Sequence, residues 1–338
     1  MQIEDPRGPE RVRVLQMISA YQTSRAVYVA AKLGIADLLA TRPHSLRELA
    51  ERTETDETAL SRVLRALCGV ALFARDGAGQ YEIRPAGEML RSDVPGSLRA
   101  LSVSHGEEQY LAWNDVLWSV RTGRTAFERV HGKPLFAYLD DHPEAARVFN
   151  RAMSDLIELR WRDILPRFDF NQSARVVDVG GGDGSLLAVI LRAHPHLTGE
   201  VYDCEQGLRR AAEVLEQAGV ASRCQTTVGN FFESVPGGAD TYLVSSVLFD
   251  WDDDECVSIL RNVRAAMQKG ARLLVYETAM PEGDSFYFGK FFDLNMMVVT
   301  GGKVRSEAEH RGLLERAGLT WVRATWAGFG TVFEACAT

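Results

Sequence analysis

The run Val176-Val177-Asp178-Val179-Gly180-Gly181-Gly182-Asp183-Gly184-Ser185 constrains the fold more than any other stretch of the chain. An apolar segment of strand length enters a glycine-rich turn, which leads directly into the helical pattern SLLAVILRAH. Glycine is needed in such a turn because the backbone takes angles that side chains forbid and because a ligand lies against bare backbone. The spacing is DxGxGxG; the GxGxxG of a dinucleotide pyrophosphate loop would require Gly at position 185, which is Ser185. A second carboxylate follows in Val201-Tyr202-Asp203, at a strand end where ribose hydroxyls are gripped in folds of this kind.

From Ala174 onward, the runs RVVDVG, GEVYD, TYLVSSVL and ARLLVYE alternate with helical stretches, which predicts a parallel, doubly wound α/β sheet. Two aromatic-rich runs split by Gly328 and Gly330 predict an antiparallel hairpin added to that sheet. Upstream, apolar residues recur at helical spacing from Arg11 to Leu39, with Gly34 as an interruption. The segment from Ser45 to Pro85 reads as two helices and a short strand pair about Asp76-Gly77-Ala78-Gly79, the pattern of a winged helix. Winged helices that hold DNA do so with basic faces, but residues 1–110 carry 14 Lys+Arg against 15 Asp+Glu. A dimerisation module is therefore expected over 1–105 in place of a cofactor-sensing DNA-binding regulator. Residues 106–338 then supply a helical linker and a Rossmann-like catalytic domain with its core at 174–338.

A net charge of −8 over 338 residues argues against a polyanionic partner, so no nucleic acid is expected. The five cysteines (Cys68, Cys204, Cys224, Cys256, Cys336) form no CxxC pair and suggest neither a disulfide framework nor a zinc site, which fits a reducing cytoplasm. Neither His105 nor His131 has metal-ligand spacing to another His, so no metal is expected. No window approaches 18 apolar residues and MQIEDPRGPE lacks signal-peptide character, so neither membrane span nor secretion is expected.

Taken with GNFFESVP, VLFDWDDDE, LLVYETAMP and FFDLNMMVVTGGKVRSEAE, the chain resembles the S-adenosylmethionine-dependent O-methyltransferases of small hydroxylated aromatics, the caffeate and flavonoid type and its bacterial natural-product branch. The resemblance covers nearly the full length. It implies S-adenosyl-L-methionine as cofactor, a homodimer formed through the N-terminal domain, and a small aromatic substrate from secondary metabolism such as antibiotic biosynthesis. It also implies that Asp178, Gly180, Gly182 and Gly184 line the methionine and ribose, that Asp203 binds the ribose, and that Asn230 with Phe231 meets the adenine. Ser245 joins this cofactor set, and Met153 with Ser154 closes over cofactor and substrate. Asn230 stands where the family usually has Asp.

Plant-type members carry a catalytic His directly before Asp-Trp, where this chain reads Val247-Leu248-Phe249-Asp250-Trp251-Asp252. Phe249 accepts no proton, so the usual general base is missing. The carboxylates retained nearby are Asp250, Glu277 and Glu309, and His105, expected at the start of a helix bordering the acceptor, is the first candidate for a substitute base. Phe249, Trp251, Phe292 and Met296 are expected to contact the acceptor, while Phe286, Phe288 and Phe291 read as core. Three chemistries remain open: O-methylation by proximity, C-methylation of an electron-rich ring, and non-methylating chemistry such as hydroxylation, decarboxylation or a pericyclic reaction that uses the bound cofactor.

Overall fold

The computed structural model describes residues 8–161, 164–327 and 330–338. Its compact units are Met1–Glu108 and Gln109–Thr338, against the expected division after residue 105. In the first unit, α1 (Gly8–Leu33) stops at Gly34, whose φ of 67° lies in the left-handed region, and α2 (Ile35–Thr41) restarts the chain. A reciprocal capping box between Ser45 and Glu48 starts α3 (Leu46–Thr53), and the Asp56 side chain starts α4 (Glu57–Gly69). Strands β1 (Phe73–Arg75) and β2 (Tyr81–Ile83) pair antiparallel about the expected turn, where Asp76 Oδ1 accepts the Ala78 and Gln80 N–H groups. Helices α5 (Pro85–Glu88) and α6 (Arg99–Gly106) complete the unit. Leu49, Leu64, Leu67 and Phe73 sit at its buried centre. The first half of α1 instead presents Val14, Leu15, Met17, Ile18 and Tyr21 to solvent.

The second unit opens with α7 (Glu108–Trp113), α8 (Val116–Thr122), α9 (Ala126–His131), α10 (Leu135–Asp141) and the long α11 (Pro143–Trp161). There follow β3 (Arg175–Val179), α12 (Ser185–Ala193), β4 (Thr198–Asp203), α13 (Ala211–Gln217), β5 (Cys224–Val228), β6 (Thr241–Ser245), α14 (Asp253–Ala266), β7 (Arg272–Glu277), α15 (Phe288–Val299), α16 (Glu307–Arg316), β8 (Thr320–Ala327) and β9 (Gly330–Cys336). The sheet order is β5-β4-β3-β6-β7-β9-β8, the first five parallel and the last two antiparallel. The expected C-terminal hairpin is present, although Gly328 lies outside the described residues. Val177, Val244 and Val275 pack with α14 and α16 on one face, and Val176, Leu243 and Leu274 with α12 on the other. Burial on both faces is why these strands read as continuous apolar runs.

Two expectations change. β5 was not among the expected strands; its residues Gln225 and Thr226 are polar because this is an exposed sheet edge. The helical stretch expected between the second and third parallel strands is short, limited to α13, since Gly207–Arg210 before it forms a single tighter 3-10 turn.

Helix α12 sits so close to β4 that a Cβ on Gly199 would stand 2.8 Å from Leu187 Cδ2. Gly199→Ala should therefore destabilise by about 1–3 kcal/mol through overpacking, and Leu187→Ala by about 2–5 kcal/mol through a cavity. Because the new methyl partly fills that cavity, the double variant should cost less than the sum. Urea denaturation checks this, and strict additivity would contradict the stated packing.

Candidate active site

The glycine loop joins β3 to α12. Gly180 and Gly182 have φ of 73° and 56°, and Gly184, at 76°, is the residue before α12. A Cβ on Gly180 would stand 2.7 Å from Val247 Cγ2, whereas one on Gly182 would meet open space. The first glycine is thus required by its neighbour and the second leaves backbone bare toward a ligand. Asp203 at the end of β4 fixes the loop: its Oδ2 accepts the Gly182 N–H at 2.8 Å and its Oδ1 the Cys204 N–H at 2.7 Å.

Beneath the loop, Asp178 is buried, and neither carboxyl oxygen has a hydrogen-bond partner among the described residues. Burial, and then the neighbouring Asp203, push its pKa up to about 7. Burial likewise raises Asp203, partly opposed by the Gly182 N–H. The two partnerless oxygens of Asp178, beside the Asp203 carboxyl, call for a donor or a positively charged group. The positive groups of S-adenosylmethionine, its ammonium and its sulfonium, fit that demand, and its ribose fits the carboxylate at the strand end.

Helix α11 is tied to the same loop. The Ser154 hydroxyl donates to Asp183 Oδ2 at 2.6 Å, and Asp183 Oδ1 accepts the Ser185 N–H at 3.2 Å. Met153 lies beside Ser154, half-buried. Near its C-terminus, α11 is anchored again by Trp161, whose Nε1 donates to Ser245 Oγ at 3.1 Å. That bond gives Ser245 a role in anchoring α11.

The segment Val247–Trp251 is held from two sides. Glu277, fully buried at the end of β7, accepts the Val247 and Leu248 N–H groups on Oε1 at 3.0 and 2.7 Å, while Oε2 has no partner among the described residues. Burial raises its pKa to about 7 against those two N–H groups. From the opposite side the buried Arg305 donates to the carbonyls of Leu248 and Trp251 at 2.9 and 2.8 Å and to Asp253 Oδ1 at 2.8 Å. Phe249 thereby projects into an apolar cluster with Met296 and Val304, its ring edge-on to Phe292 at 5.0 Å. Asp250 follows directly. Burial and then the Glu277 charge push its carboxyl well above the ordinary range, and a hydrogen bond with Thr300 opposes them.

Several expected positions are corrected. Glu309 is a helix cap: its Oε2 accepts the Ser306 N–H, its Oε1 pairs with Lys303, and the residue of this segment that packs with Phe249 is Val304. Burial would raise the Glu309 pKa, but Lys303 and Ser306 outweigh it and bring the group to about 2. Trp251 sits with Phe232 and Phe231, at 4.8 and 6.1 Å, and stacks on Phe136; it is not in the Phe249 cluster. The Asn230 amide, expected at the adenine, is engaged within its own turn, accepting from Phe232 N–H and donating to Glu233. His105 lies in the last turn of α6, not at a helix start. Desolvation by the surrounding protein pushes its pKa down to about 4. Phe286, Phe288 and Phe291 are exposed, not core: Phe286 precedes α15, Phe288 and Phe291 lie in its first turn, and the helix buries instead Asn295, Met296, Val298 and Val299.

Asp183 and Arg305 were missed. Asp183 reads as one more loop residue, and an arginine between Val304 and Ser306 reads as surface until the fold closes over it. His and Cys clusters of metal-binding geometry are absent among the described residues.

The raised Glu277 makes a signed prediction. A carboxyl whose folded pKa is about 7, against an ordinary 4.5, adds stability below pH 4.5 that is lost as pH rises through 7. Glu277→Gln keeps an acceptor oxygen for the two N–H groups and should flatten the fall in unfolding free energy between those pH values. An unchanged slope in pH-dependent denaturation would contradict the assignment.

Comparison with known proteins places this geometry. The profile of the O-methyltransferase domain matches residues 113–320, and that of the O-methyltransferase dimerisation domain matches residues 15–93. The phenazine O-methyltransferase PhzM of Lysobacter antibioticus is 42% identical over 310 residues, covering 92% of this chain and 91% of its own. The solved structure of LaPhzM superposes with a TM-score of 0.94 at 40% identity, covering 98% of this chain and all of that one. Aclacinomycin 10-hydroxylase RdmB of Streptomyces purpurascens is 34% identical over 97% of this chain and 89% of its own. The chain belongs to the O-methyltransferase family and is an S-adenosylmethionine-dependent methyltransferase with an N-terminal dimerisation domain.

Proposed function

We propose that this enzyme methylates a hydroxyl of a small (poly)hydroxylated aromatic in natural-product biosynthesis, and that positioning supplies the acceleration in place of a base at residue 249. The observation that carries this reading is the rigidly held, apolar Phe249 facing Phe292 and Met296. S-adenosylmethionine, when bound, supplies an electrophilic methyl group on sulfur. Asp178, Gly180, Gly182, Gly184 and Asp203 hold its methionine and ribose, Met153 and Ser154 cover it, and Phe231 with Trp251 flanks the adenine beside Asn230. Holding an acceptor oxygen in line is worth roughly 7–11 kcal/mol of barrier, enough for an acidic phenol to react without the His. Asp250, next in sequence to Phe249, is raised well above the ordinary carboxyl range by burial and the Glu277 charge, and no proton-transfer step is assigned to it.

A second reading is favoured by one relative, since RdmB is named for hydroxylation. Methyl-labelled cofactor and a panel of hydroxylated aromatics separate the readings. Label is expected on oxygen; label on ring carbon would favour C-methylation, and an acceptor consumed without any labelled product would replace methyl transfer by the hydroxylase-type chemistry. Phe249→His should change kcat by less than about 10-fold, and a gain of roughly 100-fold or more would mean that a base was limiting.

We also read the N-terminal unit as a winged-helix-like dimerisation module in a cytoplasmic homodimer that binds no nucleic acid. The exposed Leu15, Ile18 and Tyr21 stripe of α1 supports this. Light scattering should give twice the 37.5 kDa chain mass, and Leu15→Glu with Ile18→Glu should give the monomer. A wild-type monomer would contradict the assembly.

A further inference from the structure

Arg160 is a cation that the reading above leaves without a task. It stands seven residues, or about two helical turns, after Met153, so both project from one face of α11. Its guanidinium is half-buried, and Nη1 donates to Ser246 Oγ at 2.9 Å. Ser246, with φ of 60°, is the residue that turns the chain into the Phe249 loop. Its other electrostatic neighbours, Tyr276 and Glu277 at the end of β7 and Tyr287 at the cap of α15, act on it through space. Arg160 forms no ion pair among the described residues. Glu277 does not fill that role: it acts on Arg160 through space and makes no hydrogen bond or ion pair with it among the described residues.

A guanidinium offers five N–H donors in a planar fork that matches a carboxylate, and among the described residues only one of them is used. With Glu277 acting on it only through space, the guanidinium keeps N–H donors free for an anion that can reach it directly. It borders the loop that carries Phe249 and the start of α15, whose Phe292 and Met296 give the flat apolar walls an aromatic ring requires. We infer that Arg160 recognises a carboxylate on the acceptor, so that the substrate class is a hydroxylated aromatic acid and not a neutral phenol. The inference rests on the proposed acceptor pocket but not on transfer itself. The amino-acid carboxylate of the cofactor has the same chemistry, and the experiment separates the two.

The test uses full-length enzyme loaded with S-adenosylhomocysteine and titrated calorimetrically with 1-hydroxy-2-naphthoate and with its carboxamide. The acid should bind roughly 10- to 100-fold more tightly than the amide, the scale of a charged hydrogen-bonded pair. Arg160→Met should erase that preference, Arg160→Lys should restore part of it, and neither should alter S-adenosylhomocysteine affinity. No preference in wild type, absence of binding by both compounds, or a preference that survives Arg160→Met would overturn the inference. So would a loss confined to S-adenosylhomocysteine, which would assign Arg160 to the cofactor. Failure of the methyl-transfer reading is distinct: the acid would bind with its preference intact, yet no labelled methyl would reach it.

Discussion

A buried carboxyl and a buried guanidinium grip Val247–Trp251, within the connection from β6 to α14, and the proposed chemistry depends on that grip. Glu277 binds the N–H groups of Val247 and Leu248, while Arg305 binds the carbonyls of Leu248 and Trp251. Each would be expensive to bury alone. Their use on backbone fixes the path of the loop independently of what Phe249 is, so the loop keeps its shape although residue 249 cannot take a proton.

The electrostatics of the two half-sites differ accordingly. On the cofactor side, Asp178 and Asp203 crowd negative charge beneath bare glycine backbone, which favours a cationic ligand. On the proposed acceptor side, Phe249, Phe292, Met296 and Val304 form an apolar cluster, and the raised carboxyl of Asp250 follows Phe249 in the chain. A cationic methyl donor brought against an apolar, aligned acceptor loses charge in the reaction, and low polarity on the acceptor side does not oppose that change. Loop and α11 are coupled through Ser154 and Asp183 and again through Trp161 and Ser245, so the helix spans both half-sites.

Much of this was legible in the chain. The DVGGGDGS run fixes strand, turn and helix because few backbones tolerate three glycines at that junction, and the paired carboxylates follow from it. Buried parallel strands announce themselves as apolar runs, whereas β5 does not, because an edge strand facing solvent loses that pattern. Arg305 and Asp183 were illegible because their partners are backbone groups and hydroxyls that only the closed fold brings near. Glu309 was misread because a capping carboxylate three residues after Ser306 looks, in sequence, the same as a catalytic one. The inward and outward faces of α15 were confused since Phe occupies both, and tertiary context alone separates Phe292 from Phe291.

The central claim is that the loop positions an acceptor whose own acidity supplies the nucleophile. The most direct measurement is the pH dependence of kcat for several phenolic acceptors of different hydroxyl pKa. The account predicts that the rising limb moves with the acceptor, tracking its pKa in the bound complex. A limb fixed near pH 6.5 whichever acceptor is used would reveal a titrating histidine of the enzyme and contradict it.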